Sequence, residues 1–389
     1  MRIKESAKNL LVGLACLFFY SACAQVGNND SSKSNAGNNA PDGKNEAAYN
    51  VATFDSGFGG YFTAKEIEKQ SRSLSKNGYG PFSITHYGDT LNAPYGEKTT
   101  EQIAKFTSEG VLTAFHDGAE DVYIACNTAS TQYERVKEII RAENPAYENH
   151  VFSIINVSVD EVMKTVNKKL ALQNNVNIAI FATPATVKSE NYPKFLAKAL
   201  NTDFKPGILK KITQPRWLKK KGATIDSYAY VAEFPLSSGK KVSVYQMAPA
   251  NWVDMIENGA SDSEKRFNVE NDIKTLTSQI NTDAVFDVVG EFCTHYPVFD
   301  SIIQSELKGS HKVTTEAPFV VQGPLMGSLF NKTYLQSQPW KNDNEVSPPN
   351  TPSIYLTGDN ISSFMELVKK IFPNDPEPAI AKKEFVSLN

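Results

Sequence analysis

Two short runs hold the residues with the most versatile chemistry in this chain. Cys126 sits in "IACNTAS" (124–130), and Cys293 opens "CTHYP" (293–297), where His295 follows the thiol two residues later. A thiol can close a disulfide, bind a metal or move a proton, and it can also pack as a small inert apolar group. Cys126, Cys293, His86 and His295 are zinc-ligand types, but no close C-x-x-C or H-x-x-x-H pair supports a metal site. "DSGFGG" (55–60) could cradle a phosphate, yet it lacks the Walker spacing and lysine, and a plain tight turn accounts for it.

The elements around these runs place them at one kind of position. Strand-like runs fall at 50–54, 82–87, 121–125, 151–155, 176–182, 284–290, 318–322 and 353–357. Several are apolar on both faces, as parallel strands covered by helices must be. Between them lie amphipathic segments. One spans 158–171, with Val159, Val162, Met163, Val166 and Leu170 on one face and "SVDE" as a capping box at its start. Another spans 360–372, with Ile361, Phe364, Met365, Val368 and Ile371 inward. Alternating strands and helices define an α/β architecture with parallel sheets. Polar or glycine-rich motifs recur where the strands end: "DSGFGG", "GDTLNAPYG", "CNTAS", "TPAT" and "CTHYP". Ligands of open α/β sheets sit outside the carboxyl ends of the strands, so five such motifs suggest one site. Residues 203–250 break the rhythm and read as an inserted β-hairpin, with a Ser-Gly turn near 238–239.

The chain has 389 residues, 41% of them apolar and 21% charged, enough for two domains with their own cores. A formal net charge of −3 argues against a nucleic-acid partner. The lysines at 219–221 read as a solvated turn. Arg2, Lys4 and Lys8 precede an apolar run from Leu10 to Tyr20 and the small residues "SACA". That pattern is a signal peptide (1–23), too short to span a bilayer. "YSAC" resembles a lipobox, which would make Cys23 the lipidated first residue. Ala22-Cys23-Ala24 could instead be cleaved as an A-x-A site, releasing the protein. Residues 24–49 are too polar to fold and form a tether, which suits an anchored protein better than a free one. Export makes a Cys126–Cys293 disulfide the obvious first reading.

Taken together, the motifs point elsewhere. "FDSGFGG" (54–60), "YGDTLNAPYGEKT" (87–99), "IACNTAS" (124–130), "ATPATVKSENY" (182–192), "CTHYP" (293–297) and "TGD" (357–359) occur in the order found in glutamate racemases. The chain resembles that family, within the cofactor-independent aspartate/glutamate racemase superfamily, over roughly 50–200 and 250–372. The resemblance implies two pseudo-symmetric flavodoxin-like domains with the active site in the cleft between them. Domain A would take 50–150 plus 315–380, and domain B 151–314. The segment from Ser353 to Phe372 would return to the first domain. Racemisation needs one acid–base group on each face of the α-carbon, and two thiols from two halves of the chain suit that task. On this reading Cys126 and Cys293 stay unpaired, because a substrate-wide cleft separates them beyond disulfide reach.

Carried over by position, Cys126 and Cys293 are the two bases. Asp55 assists the first thiol and His295 the second. Glu257 in "WVDMIENG" matches the family's glutamate, although Pro249 stands one residue further off than in the family pattern. Ser56, Pro94, Tyr95, Gly96, Asn127, Thr128, Thr294 and His295, with Asp55, would hold the substrate through hydroxyls and backbone N–H groups; Thr183 and Thr186 are further candidates. No cofactor and no metal are implied. The expected partners are a small amino acid, the membrane through a lipid anchor at the cell envelope or periplasm, and a second copy in a homodimer. Glutamate leads as substrate, with aspartate or another amino acid behind it. The rival is an inactive racemase fold that binds acidic amino acids or peptidoglycan fragments. Three features depart from the family: Glu291-Phe292 replaces its Leu-Gly before the second cysteine, 203–250 is inserted, and the family normally works in the cytoplasm. The first two predict an altered pocket.

Overall fold

The computed structural model describes residues 48–217, 223–280, 283–337, 339 and 341–388. The leader 1–23, Cys23, the tether up to 47 and the lysines at 219–221 lie outside the described residues.

The first sheet is built from β1 (Tyr49–Asp55), β2 (Phe82–Gly88), β3 (Asp121–Ile124), β4 (Val151–Ser153), β11 (Ser353–Leu356) and β12 (Ile380–Lys382), in the order β12-β11-β2-β1-β3-β4. Every pairing in it is parallel. The second sheet holds β5 (Asn175–Ala182), β6 (Ile208–Pro215), β7 (Thr224–Pro235), β8 (Lys241–Ala248), β9 (Val288–Phe292) and β10 (Phe319–Val321), in the order β10-β9-β5-β8-β7-β6. Its β10, β9, β5 and β8 are parallel neighbours, while β7 and β6 are added antiparallel. Both sheets belong to one compact unit, Glu46–Asn389. Among its described residues no helix is long and apolar enough to cross a membrane.

Alternation decides which core each strand feeds. In β8, Val242, Val244 and Ala248 enter one apolar cluster with Val162, Tyr192 and Phe292. Tyr245 and Met247, one residue out of step, enter the opposite cluster with Trp252, Cys293 and Tyr296. A strand buried on both faces leaves little room for polar side chains, and β8 buries Ser243 and Gln246 nonetheless.

Four expectations are corrected. The hairpin read in 203–250 is formed by β7 and β8, but it is not a peripheral addition, because β8 also pairs with β5 over Lys241–Met247 and is a central strand. The Ser-Gly turn itself is present: Gly239 takes φ +78° between β7 and β8. The strand read at 284–290 begins at Val288; Phe286 makes only an isolated bridge to Val313. The helix read at 158–171 spans Ile154–Leu170 and is capped by Ser153, whose Oγ accepts from the Ile155 N–H at 3.3 Å. Ser158 lies inside it and donates to the Ile154 carbonyl at 2.8 Å, so "SVDE" is not a cap. Finally, β4 lies in the first sheet and β10 in the second. The chain therefore changes sheets after Ser153 and after Val321, rather than at 151 and 315. The C-terminal segment does return to the first sheet, where β11 pairs with β2. The chain then continues past 380, and Phe385, Val386 and Leu388 pack on that half's core.

Candidate active site

β3 and β9 are both parallel strands, and Cys126 and Cys293 follow them at their carboxyl ends. The two thiols line the same cavity, of about 320 Å³, from the two sheets. Both are free and buried.

On the first wall, Cys126 caps the short helix Asn127–Ser130, its Sγ receiving the Ala129 N–H at 3.4 Å. Ser56 Oγ lies 3.6 Å from the same sulfur. Burial pushes the Cys126 thiol up to about 12, and the charge of Asp55 adds to that shift. Cys126 is therefore a protonated thiol at neutral pH. The buried Asp55 carboxyl accepts the Gly57 N–H at 2.9 Å and the Thr294 hydroxyl at 3.0 Å. Burial raises it to about 6 against the pull of His295. The carboxylate expected beside the first thiol is thus also bonded across the cleft, to the residue that follows the second.

On the second wall, His295 Nδ1 lies 3.9 Å from Cys293 Sγ, and its Nε2 lies 2.9 Å from Glu257 Oε1. Burial disfavours the imidazolium, but the contacts with Cys293 and Glu257 outweigh it and hold His295 well above its ordinary range. A carboxylate accepts only, so His295 Nε2 carries a proton. Glu257 ends the helix Trp252–Glu257. The glycines of "DSGFGG" make this junction possible. A Cβ at Gly59 would overlap Thr294 Oγ1, and one at Gly57 would stand 2.6 Å from Glu257 Oε1. They allow close approach of the two halves.

Ser56, Pro94, Tyr95, Gly96, Asn127, Thr128, Thr183, Thr294 and His295 line the cavity, while Asp55 and Glu257 stand behind its wall. Thr186 also stands behind, 2.9 Å from Thr183, which in turn lies 2.8 Å from Thr128. The Tyr95 hydroxyl spends its one proton on Asp89, at 2.7 Å, and so has none to donate to a ligand. Its contribution is the turn Tyr95–Glu97, whose first N–H groups lack intrahelical partners. Asn127 Oδ1 accepts from Tyr192 Oη and from Gln322 Nε2, and its Nδ2 donates to Gln322 Oε1. One Asn127 N–H is then left for the cavity. His86 belongs to the scaffold: its Nε2 donates to the Gly57 carbonyl at 3.2 Å and its Nδ1 faces Thr53 Oγ1 at 3.0 Å. Burial lowers His86 to about 4, so it is neutral.

The departures from the family pattern have separate outcomes. Thr224, Ile225, Asp226 and Tyr228 of β7 form part of the cavity wall, so the 203–250 segment does shape the site. Phe292 does not line it; its ring stacks on Tyr192 at 4.4 Å inside the core. Glu291, one residue earlier on a two-sided strand, is fully buried. Sequence reasoning missed Tyr192, Gln322, Glu97, Arg216 and Asp254. Tyr192 stands in a recognised motif, but nothing local marks Gln322 or Arg216 as site residues.

Two sheets, each with a thiol just beyond the end of a parallel strand, thus face one cavity. The comparisons agree. The fold matches the crystal structure of glutamate racemase from Francisella tularensis, solved in complex with D-glutamate, with a TM-score of 0.57 and 20% identity over 87% of this chain and 98% of that one. The sequence is 24% identical to the glutamate racemase of Aquifex aeolicus over 86% of this chain and 99% of the relative. It is 32% identical to that of Aquifex pyrophilus over 38% of this chain, a match that spans about half (49%) of that relative's length. No family model matches. The chain is therefore similar to glutamate racemases in sequence and shares their fold.

Proposed function

We propose that this protein is a cofactor-independent racemase that interconverts L- and D-glutamate by proton transfer between two thiols. One observation carries the reading: Cys126 and Cys293 reach one cavity from two sheets. A thiolate on one wall takes the α-proton, and the C–H electrons pass into an enolate-like carbanion held by the substrate carboxylate. The thiol on the opposite wall then gives its proton to the other face. The α-carbon is inverted, and one thiol has gained the proton that the other lost.

The two walls begin in different states. The Cys126 thiol, held neutral by burial, is set to donate. Cys293 faces His295, an imidazole that Glu257 supports from behind, so the second wall presents a thiol–imidazole pair. Thr128, Thr183 and the free N–H of Asn127 offer hydrogen bonds to the substrate's carboxylates. Incubation with L- or D-glutamate in D2O tests the proposal. Racemisation with deuterium at the α-carbon supports it, whereas binding without exchange turns the reading to a non-catalytic binding protein.

Localisation and assembly are further proposals, supported by sequence alone. The leader, the lipobox-like "YSAC" and the polar spacer support export and lipidation at Cys23. Mass spectrometry of the mature N-terminus should find a lipid-modified Cys23, and a mature chain beginning beyond it rejects the anchor. A homodimer rests on the family likeness, and light scattering on purified protein decides it.

A further inference from the structure

Arg216, at the end of β6, links two carboxylates that belong to different halves of the molecule. Its Nη2 donates to Glu97 Oε1 at 2.7 Å, and its Nε donates to Asp254 Oδ2 at 3.1 Å. Glu97 ends the turn Tyr95–Glu97 of the first half. Asp254 lies on the helix Trp252–Glu257 of the second, one turn before Glu257. All three residues, Arg216, Glu97 and Asp254, line the cavity. The backbone around Arg216 is fastened to the same helix: the Trp217 N–H donates to Asn251 Oδ1 at 2.9 Å, and Asn251 Nδ2 donates to the Pro215 carbonyl at 3.0 Å. Asn251 precedes that helix directly, so Arg216 moves with it. The contact with Glu97 is the part that crosses the cleft.

We propose that Arg216 is a positioning residue, a clasp that ties the two halves together across the cavity mouth and steadies the helix that holds Glu257 on His295. The charges make the clasp directional. Glu97, Asp254 and Glu257 form a cluster of carboxylates, and Arg216 is the cation between the first two. Its planar fork can serve two oxygens at once, which an ammonium does poorly. Removing it leaves Glu97 and the largely buried Asp254 facing each other as like charges, which favours an open cleft. Opening admits and releases substrate; closing excludes water and keeps the relay aligned.

The kinetic part of the test rests on the racemase reading above. Glu97→Gln removes only the cross-cleft charge, and should raise KM for glutamate about fivefold with kcat within twofold. Arg216→Ala also releases the Asp254 side and should lower kcat as well, by about tenfold. Arg216→Lys should recover part of the KM effect. The double variant Glu97→Gln/Arg216→Ala should be no worse in KM than Arg216→Ala alone, because both changes break one contact. Unchanged kinetics in Arg216→Ala, or additive KM effects, overturn the clasp. Hydrogen exchange separates this from failure of the racemase reading, since it needs no turnover. Amides of 95–98 should exchange faster in both single variants, and those of 252–257 in Arg216→Ala, while the strands β1 and β5 keep their protection. Uniformly faster exchange, or none, rejects the clasp whether or not the protein turns over substrate.

Discussion

The two thiols occupy matching places at the ends of β3 and β9, yet they have different neighbours. Cys126 meets neutral donors, the Ser56 hydroxyl and the Ala129 N–H, with the Asp55 carboxyl nearby. Cys293 meets an imidazole backed by a carboxylate. The surrounding sheets differ in the same sense. The first is wholly parallel, while the second gains two antiparallel strands, one of which walls the cavity. Under the proposed racemisation, a reaction symmetric about one carbon would be served by two unlike acid–base groups. Burial keeps the first thiol neutral, while the second faces an imidazole that is itself paired with a carboxylate.

The widest test of that comparison removes each sulfur. Cys126→Ala and Cys293→Ala should each lower racemisation by about 10³-fold, since one general acid–base group is lost from each face. Each should still eliminate a β-leaving group from one enantiomer, and the two variants should prefer opposite enantiomers. Wild-type turnover in either variant, or the same enantiomer preferred by both, removes the two-face assignment.

The imidazole side should be the more sensitive to its partners. His295→Asn should lower kcat about 10²-fold and Glu257→Gln about tenfold, while Ser56→Ala on the other wall should change it by only about threefold. The pH dependence has a definite sign. His295 binds its proton more tightly in the folded chain than unfolded, so the pair with Glu257 contributes stability that is full below about pH 6.5. That stability is lost as pH rises through the raised folded value. Thermal melts from pH 6 upward should show a fall that Glu257→Gln flattens, and parallel curves would reject the pair as its source.

This asymmetry was only partly legible in the sequence. "CNTAS" and "CTHYP" could be read because each set of groups is local, placed by one strand end. Glu257 could be read from its own run. Gln322 reaches Asn127 from 195 positions away, and no short-range pattern reveals that. Arg216 owes its role to Glu97 and Asp254, which only folding brings together. The hairpin of β7 and β8 is legible because its strands are adjacent in sequence, whereas the pairing of β8 with β5 spans a long crossover and leaves no local pattern. "SVDE" imitated a cap because Ser and Glu three residues apart also occur inside helices, where the serine bonds the preceding turn.

Phe292 and Glu291 sharpen the comparison further, since both are departures just ahead of the second thiol. Phe292 stacks on Tyr192, whose hydroxyl holds Asn127 on the other half of the molecule. Phe292→Ala should cost about 3–4 kcal/mol of stability through the cavity it leaves. The substrate preference should stay unchanged, because the ring is not in the pocket. A shift in preference without loss of stability would return Phe292 to the site.

Glu291 should give the smallest effect, and one of opposite sign. It is fully buried, and neither carboxyl oxygen has a hydrogen-bond partner of normal geometry. Burial, with Asp300 close by, raises it to about 10, so it stays protonated at neutral pH. The folded chain then holds a proton that the unfolded chain releases above about pH 4.5. Its contribution to stability falls steadily as pH rises from there toward 10. Glu291→Met, similar in length and without a charge to suppress, should stabilise the protein by on the order of 1 kcal/mol at pH 8, or about 3 °C in Tm. The gain should shrink toward pH 5, where the unfolded carboxyl is itself closer to neutral. Glu291→Gln should flatten the same pH slope with less gain, because it keeps an unpaired polar group in the core. A Tm gain equal at pH 5 and pH 8 would show that Met improves packing only, and that Glu291 does not carry the proton assigned to it.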